Sequence, residues 1–197
     1  GNIDSCAAMV TVNDTTKPVV ACKDTTVYLS VSGTVTIDSS YVNNSPSSGC
    51  DIETIKLNQY NFNCSHIGVN PVTMTVTDIN GNMDSCSANV IVLDTTKPVI
   101  ICNNINVYLD ATGFVSIDSS DIDNGSNDNC SIVTLKISQS MFNCSQVGNN
   151  TINLIGTDQS GNIDSCQAIV VVSDTIKPSV ICKDTSIYLN NAGQFVI

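Results

Sequence analysis

Gly81 to Cys102 reads GNMDSCSANVIVLDTTKPVIIC, and near-copies flank it: GNIDSCAAMVTVNDTTKPVVAC from Gly1 to Cys22 and GNIDSCQAIVVVSDTIKPSVIC from Gly161 to Cys182. The copies begin at Gly1, Gly81 and Gly161, a constant period of 80 residues. Similarity at fixed spacing marks a tandem array. Each copy reads as the last strand of one unit, an Asp-Thr-Thr-Lys-Pro linker, and the first strand of the next. The period places the last strand of a preceding repeat at 1–13, complete repeats at 14–93 and 94–173, and the first strands of a following repeat at 174–197. The chain opens inside a loop and stops inside a strand pattern, so it is expected to be a window on a longer protein. The lack of a leader then carries no information.

Seven lysines and arginines stand against 18 aspartates and glutamates, a net charge of −11, which repels a phosphate backbone and argues against nucleic-acid partners. No apolar run in this window approaches the eighteen or so residues of a membrane span. Val, Ile and Thr are abundant and helix formers scarce, so the chain is expected to be all-β. The ten cysteines recur in register, Cys22, Cys50, Cys64 and Cys86 matching Cys102, Cys130, Cys144 and Cys166, with no CxxC pair. Disulfides in an oxidising compartment fit this better than zinc ligands, and an extracellular or cell-surface location follows.

The second repeat illustrates the strand pattern. PVIIC (98–102) opens it, and INVYLD (105–110) alternates, with Val107 and Leu109 opposite Tyr108. After a turn at 111–113, FVSID (114–118) continues as strand; a polar loop runs to Cys130, and IVTLKIS (132–138) follows. Residues 141–148 read as irregular. Thr151 to Asp158 points Ile152 and Leu154 inward, as Val72, Met74 and Val76 do in the first repeat, and Cys166 to Val172 closes the unit. Short alternating strands between Gly, Asn, Asp and Ser turns predict a β-sandwich of about 80 residues with no substantial helix.

The motifs DNGSNDNC (123–130), Phe-x-Cys-x-x-Val-Gly (142–148) and TDQSGNIDSC (157–166) resemble the hyalin repeat, in the multi-copy form of large secreted surface proteins and adhesins of Bacteroidetes-type bacteria. The resemblance covers essentially the whole chain. It implies tandem immunoglobulin-like modules in a surface filament, with adhesion as a role. The first repeat departs from the pattern, with YVNNSPSSGC at 41–50 where the second has DIDNGSNDNC at 121–130.

Two pairing schemes use the cysteines. One joins Cys22 to Cys86 and Cys50 to Cys64 within a repeat, and likewise Cys102 to Cys166 and Cys130 to Cys144. The other joins Cys86 to Cys102 across the linker, with Cys6–Cys22 and Cys166–Cys182. From Cys86 to Asp94 a strand travels roughly 25 Å, and disulfides need Cα atoms within about 7 Å. The first scheme is favoured, because first and last strands of such a sandwich run parallel and adjacent.

Three acid-bearing pieces are expected to converge at the N-terminal end of each repeat. In the second they hold Asp94, then Asp118, Asp121, Asp123 and Asp128, then Asp158, Asn162 and Asp164; in the first they thin to Asp14, Asp38, Asp78, Asn80, Asn82 and Asp84. Hard oxygen donors with glycine at the bend suit Ca2+, although the spacing is not that of an EF-hand loop. The same residues also serve as Asx turns without a metal.

Thr15, Thr25, Thr95 and Thr175 lie in Asp-Thr motifs resembling a Bacteroidetes O-glycosylation site, and N-x-Ser/Thr sequons occur at Asn13, Asn43, Asn63, Asn124, Asn129, Asn143 and Asn149. His66 stands alone, with Gln146 as its counterpart. Tyr28, Tyr108 and Tyr188 recur on the face opposite the apolar positions, and without tryptophan a sugar-stacking platform is a poor fit. No nucleophile elbow, zincin motif or P-loop occurs, so no enzyme is expected in this window. Two functions fit. One is a structural stalk or filament, disulfide-stapled and calcium-stiffened, whose partners are neighbouring repeats and laterally packed copies. The other is an adhesin whose variable loop, 41–50 and 121–129, reads glycans or cells.

Overall fold

Val72, Met74 and Val76 alternate with threonines, as do Ala88, Val90 and Val92 with polar residues, and all six side chains are buried. That alternation sets the two long central strands of the first repeat. A computed structural model describes residues 1–195 of the chain. In it the first repeat comprises β1 (Thr25–Tyr28), β2 (Thr34–Thr36), β3 (Ile52–Leu57), β4 (Asn61–Asn63), β5 (Gly68–Asp78) and β6 (Met83–Leu93). The second comprises β7 (Ile105–Tyr108), β8 (Phe114–Ser116), α1 (Ser119–Ile122), β9 (Ile132–Ile137), β10 (Met141–Asn143), β11 (Gly148–Asp158) and β12 (Ile163–Ser173).

Each repeat is a two-layer, immunoglobulin-like sandwich, so the expected all-β class is borne out. One sheet has the order β1-β6-β5-β3, and its copy β7-β12-β11-β9; the facing layer pairs β2 with β4, and its copy β8 with β10. β1 runs parallel to β6, Thr25 opposite Val90 through Tyr28 opposite Leu93, and β7 likewise to β12, while the other pairs are antiparallel. Phe62 and Phe142, almost wholly buried, fill the space between layers. The Asn70 amide donates to the carbonyls of His66 (2.7 Å) and Gly68 (3.1 Å), and Asn150 repeats this with Gln146 and Gly148. Both pin the turn that enters a central strand, which satisfies buried backbone acceptors.

Some expected elements differ. PVIIC is not a continuous strand; it makes isolated bridges, Val99 with Asn127 and Cys102 with Asp123. The loop opposite it bends around Gly125 and offers no straight partner. Residues 141–148 are more ordered than their sequence suggests, holding β10 and a single 3-10 turn at Cys144–Gln146. Among the described residues the one α-turn, Ser119–Ile122, is capped by the Asp118 carboxylate. The strands expected at 1–13 and 174–195 are not formed, and those residues are exposed. A strand requires N–H and C=O groups paired with a neighbouring strand, and here the pairs formed, Asn190 N with Gln194 O and Gly193 N with Asn190 O, stay within one turn. Positions 196–197 of the last strand pattern lie outside the described residues. Tyr28 and Tyr108 are exposed on β1 and β7, beside but not within the cores.

The two cores differ at several positions, among them Val72 against Ile152 and Met74 against Leu154, and one pair of differences is coupled. In the first, Val76 is buried and Val20 packs against the cluster. In the second, Gly156 replaces Val76 and Ile100 replaces Val20. A Cβ on Gly156 would collide with the Ile100 Cδ1 atom and sit 3.1 Å from its Cγ1 and 3.3 Å from Leu135 Cδ2. The larger side chain on the first segment has taken part of the volume vacated on the central strand, with Leu135 beside it.

Overpacking costs about 1–3 kcal/mol and Ile-to-Val truncation about 0.5–1.5 kcal/mol. Gly156→Val and Ile100→Val are each expected to destabilise by those amounts, and the double variant by less than their sum, because it rebuilds the pair of the first repeat. Urea unfolding with disulfides intact measures this; simple additivity would show that the two positions do not share volume.

Candidate functional site

The site is the joint between the sandwiches. Cys22 bonds Cys86 and Cys102 bonds Cys166, with Cα atoms 5.7 Å and 5.9 Å apart, tying the first segment of each repeat to its last strand. The third bond is different: Cys64 of the first repeat bonds Cys130 of the second, with Cα atoms 5.3 Å apart. Cys50 and Cys144 are free, so the pairings Cys50–Cys64 and Cys130–Cys144 do not form. The reason is direction. β3 lies between Cys50 and Cys64, and its six residues carry the chain about 20 Å from one end of the sandwich to the other. A disulfide spans about a third of that. Sequence separation suggested a small loop, whereas the strand places the two cysteines at opposite poles, each facing a neighbouring repeat.

Around this bond the loop before β9 seats on the turn after β1. The Asn129 amide donates to Ser30 O at 3.2 Å, and Cys64 Sγ lies 3.4 Å from Asn129 O. Gly33 makes the approach possible. Its φ is +71°, and a Cβ there would meet Asn129 O at 2.6 Å and Cys64 Sγ at 2.9 Å. Glycine takes that backbone conformation without strain and, having no Cβ, leaves that room.

Beside the staple, carboxylate oxygens of Asp94, Asp128 and Asp158 lie within 4.8 Å of one another. Asp94 and Asp158 are buried, at 6% and 3% exposure. The linker supplies Asp94, the docked loop Asp128, and the β11–β12 hairpin Asp158. Asp94 Oδ1 accepts from Thr96 N (3.0 Å) and the Asn129 amide (3.2 Å). Asp128 Oδ2 accepts from Cys130 N (2.8 Å) and Ser131 N (3.1 Å). Asp158 is held by Ser160 N, Asn162 N and the Asn162 amide, which also reaches the carbonyls of Asp94 and Thr96.

All these donors are neutral. Asp94 Oδ2, Asp128 Oδ1 and Asn129 Oδ1 are buried with no partner at all. Like charges about 4 Å apart repel by about 4 kcal/mol at an effective dielectric of about 20, and unpaired buried acceptors add a desolvation cost. A cation of the hard, oxygen-seeking kind removes both penalties, so the donor set fits Ca2+ chemically.

The other expected ligands in the second repeat serve elsewhere. Asp118 accepts from Ser120 N (2.7 Å), Asp121 from Asp118 N (2.7 Å) and Asp123 from Ser126 N (3.0 Å), each shaping its own turn. Asp164 is exposed on β12, as is Asp84 on β6. Asp38 caps a 3-10 turn in the first repeat as Asp118 caps α1. At the corresponding place in the first repeat Asp14 and Asp78 remain but Ser48 stands where Asp128 does. Asn80 there donates to Asp14 (3.3 Å), and Asn82 reaches both Asp14 O and Asp78. The Cys50 thiol, first, and Thr16 N hold the Asp14 carboxyl below its usual range, and the same contact with Asp14 pushes the Cys50 thiol up. Asn129, which closes the site, stands in the sequence as a sequon and as part of the variable loop 121–129, and not among the expected ligands. Its signal in the sequence was its place beside Cys130.

No protein-family model matches the chain, and no curated protein matches it. Solved structures with similarity include the fibronectin(III)-like modules of Clostridium thermocellum CbhA, at 10% identity over 84% of this chain and 100% of that one, TM-score 0.32. Human protocadherin-24 EC1-2 has 12% identity, covering 81% and 100%, TM-score 0.42. Human mucin-like protocadherin EC1-2 has 11% identity, covering 80% and 98%, TM-score 0.36. The class rests on the chain's own strands: tandem all-β, immunoglobulin-like sandwiches.

Asp78 is held below its usual range chiefly by the Asn82 amide, with backbone N–H groups of Asn82 and Asn80 outweighing desolvation. A depressed carboxyl contributes stability that is complete above the unfolded value, about pH 4, and is lost as pH falls through the folded value. Asp14, Asp38, Asp110 and Asp118 are shifted the same way. Calorimetry from pH 7 down to about 3 should show a midpoint that drops only at the acid end, with a shallower drop in Asp78→Asn. A midpoint indifferent to acid would contradict the hydrogen-bond assignment.

Proposed function

We propose that the chain is a non-enzymatic, extracellular structural module of hyalin-repeat type: a stalk or surface filament stapled across its joints by disulfides and stiffened there by Ca2+. Its units are taken as 14–93 and 94–173, flanked by 1–13 and 174–197. The observation that carries this reading is the Cys64–Cys130 bond, which leaves one sandwich and enters the next. A module whose partners are its own neighbours needs such a bond; a freely jointed string of binding domains does not. Three disulfides support an oxidising compartment. Among the described residues no helix is long and apolar enough to cross a membrane.

The residues assigned to Ca2+ are Asp94, Asp128 and Asp158, with Asn129 Oδ1 as a further donor. The cation would neutralise the linker, the docked loop and the hairpin together, and so fix the linker to the second sandwich. Thr15, Thr95 and Thr175 are exposed in the linkers and open to glycosylation, whereas Thr25 is half-buried in β1. The adhesin reading is less well supported, because the variable loop of the second repeat has Asp128, Asn129 and Cys130 turned into the joint.

Thermal unfolding of the disulfide-intact chain with Ca2+ and with EDTA tests the proposal. A ligand at about a hundred times its Kd stabilises by about 2.7 kcal/mol, so Ca2+ should raise the transition. Asp128→Asn should abolish that rise, yet exceed the natural chain in EDTA, because it removes a buried like charge. Superimposed curves in Ca2+ and EDTA would sink the cation assignment. A peptide map lacking the Cys64–Cys130 link would sink the stapled stalk.

A further inference from the structure

Asp128, Asn129 and Cys130 are consecutive, so one short loop carries both a carboxylate of the acid cluster and a sulfur of the staple. Its backbone joins the two: Cys130 N and Ser131 N both donate to Asp128 Oδ2, at 2.8 Å and 3.1 Å. Ser131 sits at φ +126°, where a residue with a Cβ is strained and stays only if its surroundings hold it. The turn itself needs no carboxylate, because in the first repeat Cys50 N donates to Ser48 Oγ at 3.3 Å. What Asp128 adds is charge, delivered to Asp94 and Asp158.

Seating this loop does two opposed things. It brings Cys130 to Cys64, with Cα atoms 5.3 Å apart, and lets the Asn129 amide reach Ser30 O and Asp94 Oδ1. It also leaves Asp94 Oδ2, Asp128 Oδ1 and Asn129 Oδ1 buried without partners, among carboxylates that repel. Without a cation, charge opposes the geometry that the bond requires. With one, charge and bond favour the same seated loop.

We propose that the joint is a redox-linked cation site: Ca2+ binding at Asp94, Asp128 and Asp158 promotes formation of the Cys64–Cys130 bond, and the bond in turn tightens Ca2+ binding. The inference rests on the Ca2+ assignment above and adds its regulation by thiol oxidation. Both effects pass through one seated loop, and linkage makes them equal in size. The joint locks where calcium and an oxidant meet, and loosens when either is withdrawn. The oxidant is a small-molecule disulfide such as oxidised glutathione. The Cys64 thiolate attacks one of its sulfurs and expels a glutathione thiolate; the Cys130 thiolate then attacks Cys64 Sγ and expels the second. Two protein thiols give up two electrons and two protons, and one glutathione disulfide becomes two thiols.

Two measurements on the full chain test this. Calorimetric titration with Ca2+ should give an affinity about tenfold weaker in Cys64→Ser, and in Cys130→Ser, than in the oxidised natural chain. In glutathione buffers with saturating Ca2+ or with EDTA, alkylation and mass mapping give the reduced fraction of each bond. Ca2+ should make the Cys64–Cys130 bond harder to reduce by the same factor, about 30 mV for a tenfold change, and leave Cys22–Cys86 unmoved. Asp128→Asn should keep the bond and lose its response to Ca2+. Equal Ca2+ affinity with and without the bond, or a Cys22–Cys86 shift as large as that of Cys64–Cys130, overturns the proposal and leaves the cation site standing. No Ca2+ binding in the oxidised natural chain overturns both. The glutathione measurement uses the natural chain, so it decides the matter even if a serine variant fails to fold.

Discussion

The bond between Cys64 and Cys130 depends on a geometric constraint set by β3. A six-residue strand is about as long as the sandwich is tall, so it delivers residues before and after it to opposite ends. Everything at the joint follows. Cys50 and Cys64 cannot meet, each end of a repeat carries one cysteine, and a periodic array brings Cys64 of one unit to Cys130 of the next. Closing a loop of that length limits the unfolded chain by about 4 kcal/mol in the chain-entropy model. The bond also removes hinge freedom that a five-residue linker alone would leave.

Repetition makes the departures informative. Ile100 with Gly156 replaces Val20 with Val76, and Ile100 fills part of the space that the missing side chain leaves. That is a change within packing, with no consequence at the surface. Asp128 in place of Ser48 is another kind of change. It adds a third carboxylate to a buried pair of positions, with unpartnered oxygens on Asp94 and Asp128 as the result. Natural chains rarely leave buried acceptors unpaired, so the first substitution reads as neutral drift in the core and the second as a site.

The fold was legible because period, alternation and turn residues all act locally. Ala88, Val90 and Val92 declare a strand face without reference to the rest of the chain, and the parallel neighbours β1 and β6 bring Cys22 to Cys86. The joint was not legible to the same depth. Asp118, Asp121, Asp123 and Asp128 share one loop, and sequence cannot say that the first three turn back on their own backbone while the fourth faces Asp94. Asx turns and metal ligands use the same residues. Nor does alternation at 1–13 or 174–195 create strands, since pairing is supplied from outside the segment.

Load along a rod of such repeats has two routes through the joint. One runs through the Asp94–Pro98 linker; the other crosses from β4 to the loop before β9 through Cys64 and Cys130. The linker route bends unless something fixes it, and Asp94 is the linker residue whose buried oxygen lacks a partner. A cation there would tie the linker to the second sandwich, while the disulfide ties that sandwich to the first. Neither tie alone removes both freedoms. The staple without the cation leaves the linker strained by like charges, and the cation without the staple leaves the first sandwich free to swing. Their adjacency, with Asn129 touching both Asp94 and the Cys64 sulfur, makes the joint one mechanical unit.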